Sequence, residues 1–276
     1  MTPACLILIA GLFLPLSVHA AETCRFAGDT DFAGRAELTT TAAEANGLLR
    51  VQVDARFNGT WFAVLHIQHL LQEISTWKGG QLQSVAVNTR DMLGDRPTRQ
   101  QWDIFQRTPQ GFVAHRIEGK NVEEFSRRFP LFAAHWTPAS FGVPWEQDFW
   151  RAGAERRADL DLPASGVSPG LMTPLALAFY WLPHLDRADH TVPVFLAGFK
   201  HDKVIRVDLQ DSAARGGTVW QTAVRYPGLS ENDPSVVTGW VGSDGRIEQL
   251  AVRVHRSGQS AQGSLRALGC SGSASG

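Results

Sequence analysis

The sequence predicts a mainly β protein, built from antiparallel strands joined as meanders and interrupted in two places. Three observations carry that prediction. Apolar residues recur at every second position in several segments, short glycine-containing turns separate these segments, and the strand–helix–strand alternation of a parallel α/β sheet is missing. The chain has 276 residues, is 43% hydrophobic and carries a formal net charge of −1. That balance argues against a nucleic-acid partner, whose phosphates would call for a basic excess.

Residues 1–20 read as a signal peptide. The run CLILIAGLFLPL (Cys5 to Leu16) has the length of a secretory apolar core and is short for a membrane span. Val18-His19-Ala20 supplies the small-x-Ala cleavage pattern. No later stretch reaches the length of a transmembrane helix, so the mature chain is expected to be exported, periplasmic or secreted, as one β-rich domain over 21–276. Cys24 and Cys270 then stand near its two ends. In an oxidising compartment the simplest reading is a disulfide between them; two free thiols or a redox pair are the alternatives, disfavoured by the separation and the lack of C-x-x-C.

Within the domain, Arg50–Phe57 (RVQVDARF) places Val51, Val53, Ala55 and Phe57 on one face and Arg50, Gln52, Asp54 and Arg56 on the other. This is the pattern of a half-buried strand. Gln81–Thr89 (QLQSVAVNT), Lys203–Leu209 (KVIRVDL) and Leu250–His255 (LAVRVH) follow suit. Turn chemistry stands at Ala45-Asn46-Gly47, Gly79-Gly80, Thr108-Pro109-Gln110-Gly111 and Ser243-Asp244-Gly245. The tail 271–276 is made of small residues and is expected to be flexible.

Two segments break the rhythm. Residues 121–150 open on a helix cap, with Asn121 at N-cap and Glu124 at N3, and hold eight aromatics. This aromatic-rich insertion reads as a lid. Phe125, Phe129, Phe132, Trp136, Trp145 and Trp150 are the candidate ligand-binding residues, with Arg127, Arg128, His135 and Arg151 as polar anchors. The competing reading is that the rings only fasten an irregular segment to the sheet. The second segment is TPLALAFYWLPHL, where Thr173 as N-cap and Pro174 at N1 start a short apolar helix and Pro183 ends it.

The succession PLALAFYWL, GWVGSDGRIEQLAVRV and GSLRAL resembles a group of exported bacterial proteins of unknown function, themselves loosely similar to the LolA/LppX lipoprotein- and lipid-carrier architecture. HIQHLLQEISTW and RQQWDIF resemble a proteobacterial subfamily of that group. The resemblance implies an antiparallel sheet curled into a half-barrel with a few short helices on its concave side. It also implies a helical turn near 61–65 ahead of a strand. It carries no functional residue with it.

Chemical motifs are sparse. His66-x-x-His69-x-x-x-Glu73 would converge on a helix, but the run leads into Gly79-Gly80 and the strand after it, so a strand is expected, with His66 opposite His69 and Glu73. No third His or Cys is placed by spacing, and no metal site is expected. Gly166-Val167-Ser168-Pro169-Gly170 matches G-x-S-x-G formally, yet no strand precedes it and Pro169 lacks the N–H an oxyanion hole uses. Neither a P-loop nor a dinucleotide or haem motif is present, so no cofactor is expected. The best reading is a non-enzymatic envelope protein binding or carrying an apolar or amphipathic small molecule or lipid. A hydrolase using loop residues, or an assembly partner of another envelope protein, are the alternatives.

Overall fold

The computed structural model describes residues 21–31, 34–45, 47–61, 65–94, 96–108, 111–119, 155–156, 171–185, 190–196, 203–213, 220–226, 235–256 and 259–272. The strands are β1 (Glu22–Thr30), β2 (Gly34–Ala45), β3 (Leu48–Trp61), β4 (Leu65–Lys78), β5 (Gln81–Leu93), β6 (Arg96–Thr108), β7 (Gly111–Gly119) and β8 (Glu155–Arg156), then β9 (His190–Leu196), β10 (Lys203–Ala213), β11 (Trp220–Tyr226), β12 (Ser235–Val241), β13 (Ile247–Arg256) and β14 (Gln259–Ser271). All belong to one curved antiparallel sheet of 14 strands, in the order β8-β7-β6-β5-β4-β3-β2-β1-β14-β13-β12-β11-β10-β9. Every neighbour in that order is also a neighbour in sequence, except β1 and β14. Two meanders therefore meet at a single seam.

The seam is where Cys24 and Cys270 face each other in register, and they are joined as a disulfide. Backbones approach closely there. A Cβ on Gly28 would fall 1.7 Å from the carbonyl oxygen of Ser264, so β1 needs glycine at that position to lie against β14.

The alternating segments become strands as their periodicity demands. Val51, Val53 and Ala55 are 1%, 0% and 5% exposed and face inward. Their cross-strand partners Ser75, Glu73 and Leu71 share that face. Gly79 and Gly80 adopt φ of 54° and 74° in a two-residue turn whose flanks Lys78 and Gln81 pair. These are left-handed values that other residues resist, and such a turn matches the twist of the strands it joins. Trp61 and Leu65 are paired strand ends of the β3–β4 hairpin, and residues 62–64, the centre of the helical turn expected near 61–65, lie outside the described residues.

Among the described residues, a short helical segment, the inner helix, runs on the concave side. It begins as α-helix over Pro174–Ala176, loosens to π geometry over Leu177–Trp181 and tightens to 3-10 over Leu182–His184. Pro183 does not stop it as expected. It sits in the first turn of the 3-10 portion, where its missing N–H costs nothing. Ala176, Leu177 and Leu182 pack with Val53, Trp77, Phe105, Val194 and Leu250 into a continuous core. The curl brings the far strand β9 across to β6 and β7, with the Phe195 ring 4.9 Å from Phe105 and 5.5 Å from Phe112. Each of these large side chains contributes about 1.5–3 kcal/mol on burial.

Alternation also led to the expectation that Arg50, Gln52 and Asp54 face solvent. The structure corrects this for two of them: Arg50 and Gln52 are buried, as are Gln72, Asn88 and Gln100 on the same outward face. A polar ladder makes that burial tolerable. Arg50 Nη2 donates to Gln52 Oε1 at 3.3 Å, and Gln52 and Gln72 donate to Asp54 at 2.8 and 2.7 Å. Burial still raises the Asp54 carboxyl above its ordinary value, against the pull of Gln52, Gln72 and Arg50.

Candidate functional site

Inside the barrel, the stretch Leu171–Thr173 ties distant elements together. Met172 N–H donates to Pro193 O at 3.0 Å and Phe195 N–H donates to Met172 O at 2.7 Å, which adds a short parallel bridge to the edge of β9. On its other side, Trp77 Nε1 donates to Leu171 O at 3.1 Å. Thr173 then turns the chain into the inner helix, and its hydroxyl donates to Glu73 Oε1 of β4. Thr173 occupies the N-cap position but makes no cap bond itself.

Glu73 takes over the capping role from across the sheet. Its Oε1 accepts from Ala176 N–H at 3.2 Å and Ser75 Oγ at 3.4 Å, besides Thr173. A carboxylate at a helix N-terminus meets unsatisfied N–H groups and the positive end of the dipole. It is also fully buried. Desolvation pushes its carboxyl up from 4.5 to about 7, although the bonds from Thr173, Ala176, Leu175 and Ser75 pull the other way. Trp77 and Trp181 close over this region with ring centres 5.5 Å apart, edge to face.

The histidines of the same strand part company, as a strand requires. His66 is exposed, whereas His69 shares the face of Glu73 and its Nδ1 lies 2.5 Å from Asp91 Oδ1. Among the described residues the only acidic, His or Cys grouping tight enough for an ion is Glu22, Cys24 and Cys270. Its two sulfurs are spent in the disulfide and offer no thiolate.

A groove of about 570 Å³ opens on the outward face. Ala27, Leu70 and Leu268 supply apolar surface and Arg25, Arg35, Glu37, Asp54 and Arg56 supply charge, while Phe26, Ala55 and Leu71, whose side chains turn to the core, border the groove from the strands beneath it. The register explains Leu268. Arg25 pairs Gly269 while Phe26 pairs Ala267, so Leu268 is the extra residue of a β-bulge. It is 71% exposed, on the outward side with Ser264 and Arg266, at a position where this alternation elsewhere places polar residues. Arg35 is paired with Glu37 at 3.3 Å, which leaves Arg25 and Arg56 beside Asp54. A second groove of about 400 Å³, near Asp29, Asp31 and Arg253, is more polar.

The candidate ligand residues Phe125, Phe129, Phe132, Trp136, Trp145 and Trp150 lie outside the described residues, as do their anchors and Ser168. What the described residues bring together instead is Glu73 with the inner helix, and the groove beside Leu268. Glu73 was visible in the sequence only as part of a metal spacing. The signal that it caps a helix a hundred residues away is the Thr173-Pro174 start, which lacks an acidic residue in its first turn. No helix among the described residues is long and apolar enough to cross a membrane, which says nothing of crossing by strands.

No family model matches the chain, and no curated protein matches it. Among solved structures, a β-barrel-like protein of a domain of unknown function, DUF1849, from Brucella abortus is similar, with a TM-score of 0.51 at 9% identity over 92% of this chain and 97% of that one. At that identity the likeness establishes the barrel-like β fold and nothing about activity.

Proposed function

We propose that this chain is an exported, non-enzymatic binding protein of the cell envelope that takes an amphipathic small molecule in the outward groove. The observation that carries the reading is the exposed Leu268 at the bulge, beside Ala27, Leu70 and a rim of three arginines against Glu37 and Asp54. The volume falls in the range of small-molecule sites, which run from about 300 to 1,000 Å³. Arg25 and Arg56 against Asp54 favour a head group of negative charge. The concave side, where a half-barrel carrier would hold cargo, is filled among the described residues by Trp77, Leu177, Phe105 and Phe195. The Cys24–Cys270 disulfide supports export, since such bonds persist in oxidising compartments.

The test is titration with dansyl-undecanoic acid followed by fluorescence. Wild type is expected to saturate, and Leu268→Asp, which sets a like charge beside the probe at an exposed position, is expected to weaken binding at least about tenfold. No saturable signal, or equal affinity in the variant, overturns the reading.

A further inference from the structure

We propose that Glu73 is a proton-controlled latch that holds the inner helix to the barrel wall and, through Phe179 and Phe26, bears on β1, a strand that borders the outward groove. The geometry has three links. Glu73 on β4 accepts from Thr173, Ala176 and Ser75, so the helix start is fixed to the sheet by one buried carboxyl group. Five residues on, the Phe179 ring stands edge-on to the core-facing ring of Phe26 at 5.3 Å. Phe26 pairs Ala267 next to the Leu268 bulge, and its strand β1 borders the groove. A shift of the helix start therefore reaches the groove through β1.

The rest of the face does not supply an equivalent control. Val53 and Val87 flank Glu73 in register and do not titrate. Farther along the same face are His69, bonded to Asp91, with Arg99 beyond; on β6 Asp103 accepts from Gln101, and Arg107 donates to Leu82 O. Glu22 and Glu44 of β1 and β2 act on Tyr180 of the helix, near His184, whose ring is 4.9 Å from that of Tyr180. None of these groups bonds to the helix N-terminus among the described residues. The sign follows from Glu73 holding its proton more tightly docked than in water: docking is strongest below 4.5 and weakens as pH rises through about 7.

Hydrogen exchange at the Leu175 and Ala176 amides, corrected for intrinsic rates, tests the latch between pH 5.5 and 7.5. Protection in wild type is expected to fall by roughly tenfold with rising pH and to change less than about twofold in Glu73→Gln, which keeps an acceptor without a charge. Thr173→Val, which removes one bond that favours the charged form, is expected to move the transition to higher pH and serves if the glutamine variant does not fold. Flat wild-type protection, a parallel fall in Glu73→Gln, or an unmoved transition in Thr173→Val overturns the proposal. The groove link rests on the binding reading above and has its own arm: dansyl-undecanoate affinity is expected to fall over the same range in wild type only. Saturable binding that ignores pH overturns the link while the groove stands. If the probe does not bind wild type, the groove reading and the link that rests on it both fall, and exchange alone decides the latch.

Discussion

Glu73 and Asn88 show how differently two buried polar side chains are treated one strand apart. Glu73 has its donors around it, yet its charge is expensive in an apolar core. Its contribution to stability is expected to be full below pH 4.5 and to decline, by roughly 3 kcal/mol, as pH rises to 7, since the docked carboxyl is pushed up from 4.5 to about 7. Denaturant unfolding across that range checks it, and Glu73→Gln should flatten the curve. Asn88 is fully buried on the opposite face, and neither of its amide atoms has a partner among the described residues. Replacing it by Leu, of similar size, removes an unmet hydrogen-bonding demand. A gain of about 1 kcal/mol is expected in the same unfolding measurement.

At the scale of elements, strands were legible because burial of one face imposes period two on the chain locally. Val51, Val53 and Ala55 needed no distant information to be read as inward-facing, and the Gly79-Gly80 turn followed from backbone sterics alone. Gly80→Val, forced into a left-handed conformation at an exposed tip where its Cβ meets nothing, is expected to cost about 1–2 kcal/mol from backbone strain alone, read as a lower midpoint of thermal unfolding. The inner helix was legible in its start and less so in its end. Proline breaks an α-helix because it lacks an N–H, but the first turn of a 3-10 segment does not use that group, and Pro183 is accommodated there. The expected lid, residues 121–150 with their aromatics, lies outside the described residues.

For the whole molecule, the seam between β1 and β14 decides the architecture. Among the described residues it is the one junction that joins the two meanders edge to edge, and the disulfide spans it with a sequence separation of 246. Removing the cross-link by Cys24→Ser with Cys270→Ser is expected to lower stability by about 5 kcal/mol in the chain-entropy account, measured by denaturant titration. A loss near zero would mean that strand pairing alone holds the seam. Closure on the other side is left to Leu171–Thr173, which bonds to the edge of β9 and to Trp77 at once. An edge strand covered in this way is also protected from pairing with another chain.

By itself the sequence determined the β class, the strands with clean alternation, the glycine turns and the helix start at Thr173-Pro174, and it made a Cys24–Cys270 disulfide the simplest reading. These follow from local sterics, side-chain period and cysteine arithmetic. Tertiary structure alone decided that Glu73 caps the inner helix, that Leu268 is bulged outward, and that Arg50 and Gln52 are buried on a face their neighbours read as solvent. Each depends on which strand lies beside which and on what packs against the second face of the sheet. Such contacts join residues tens to hundreds of positions apart, and no periodicity within a single strand records them.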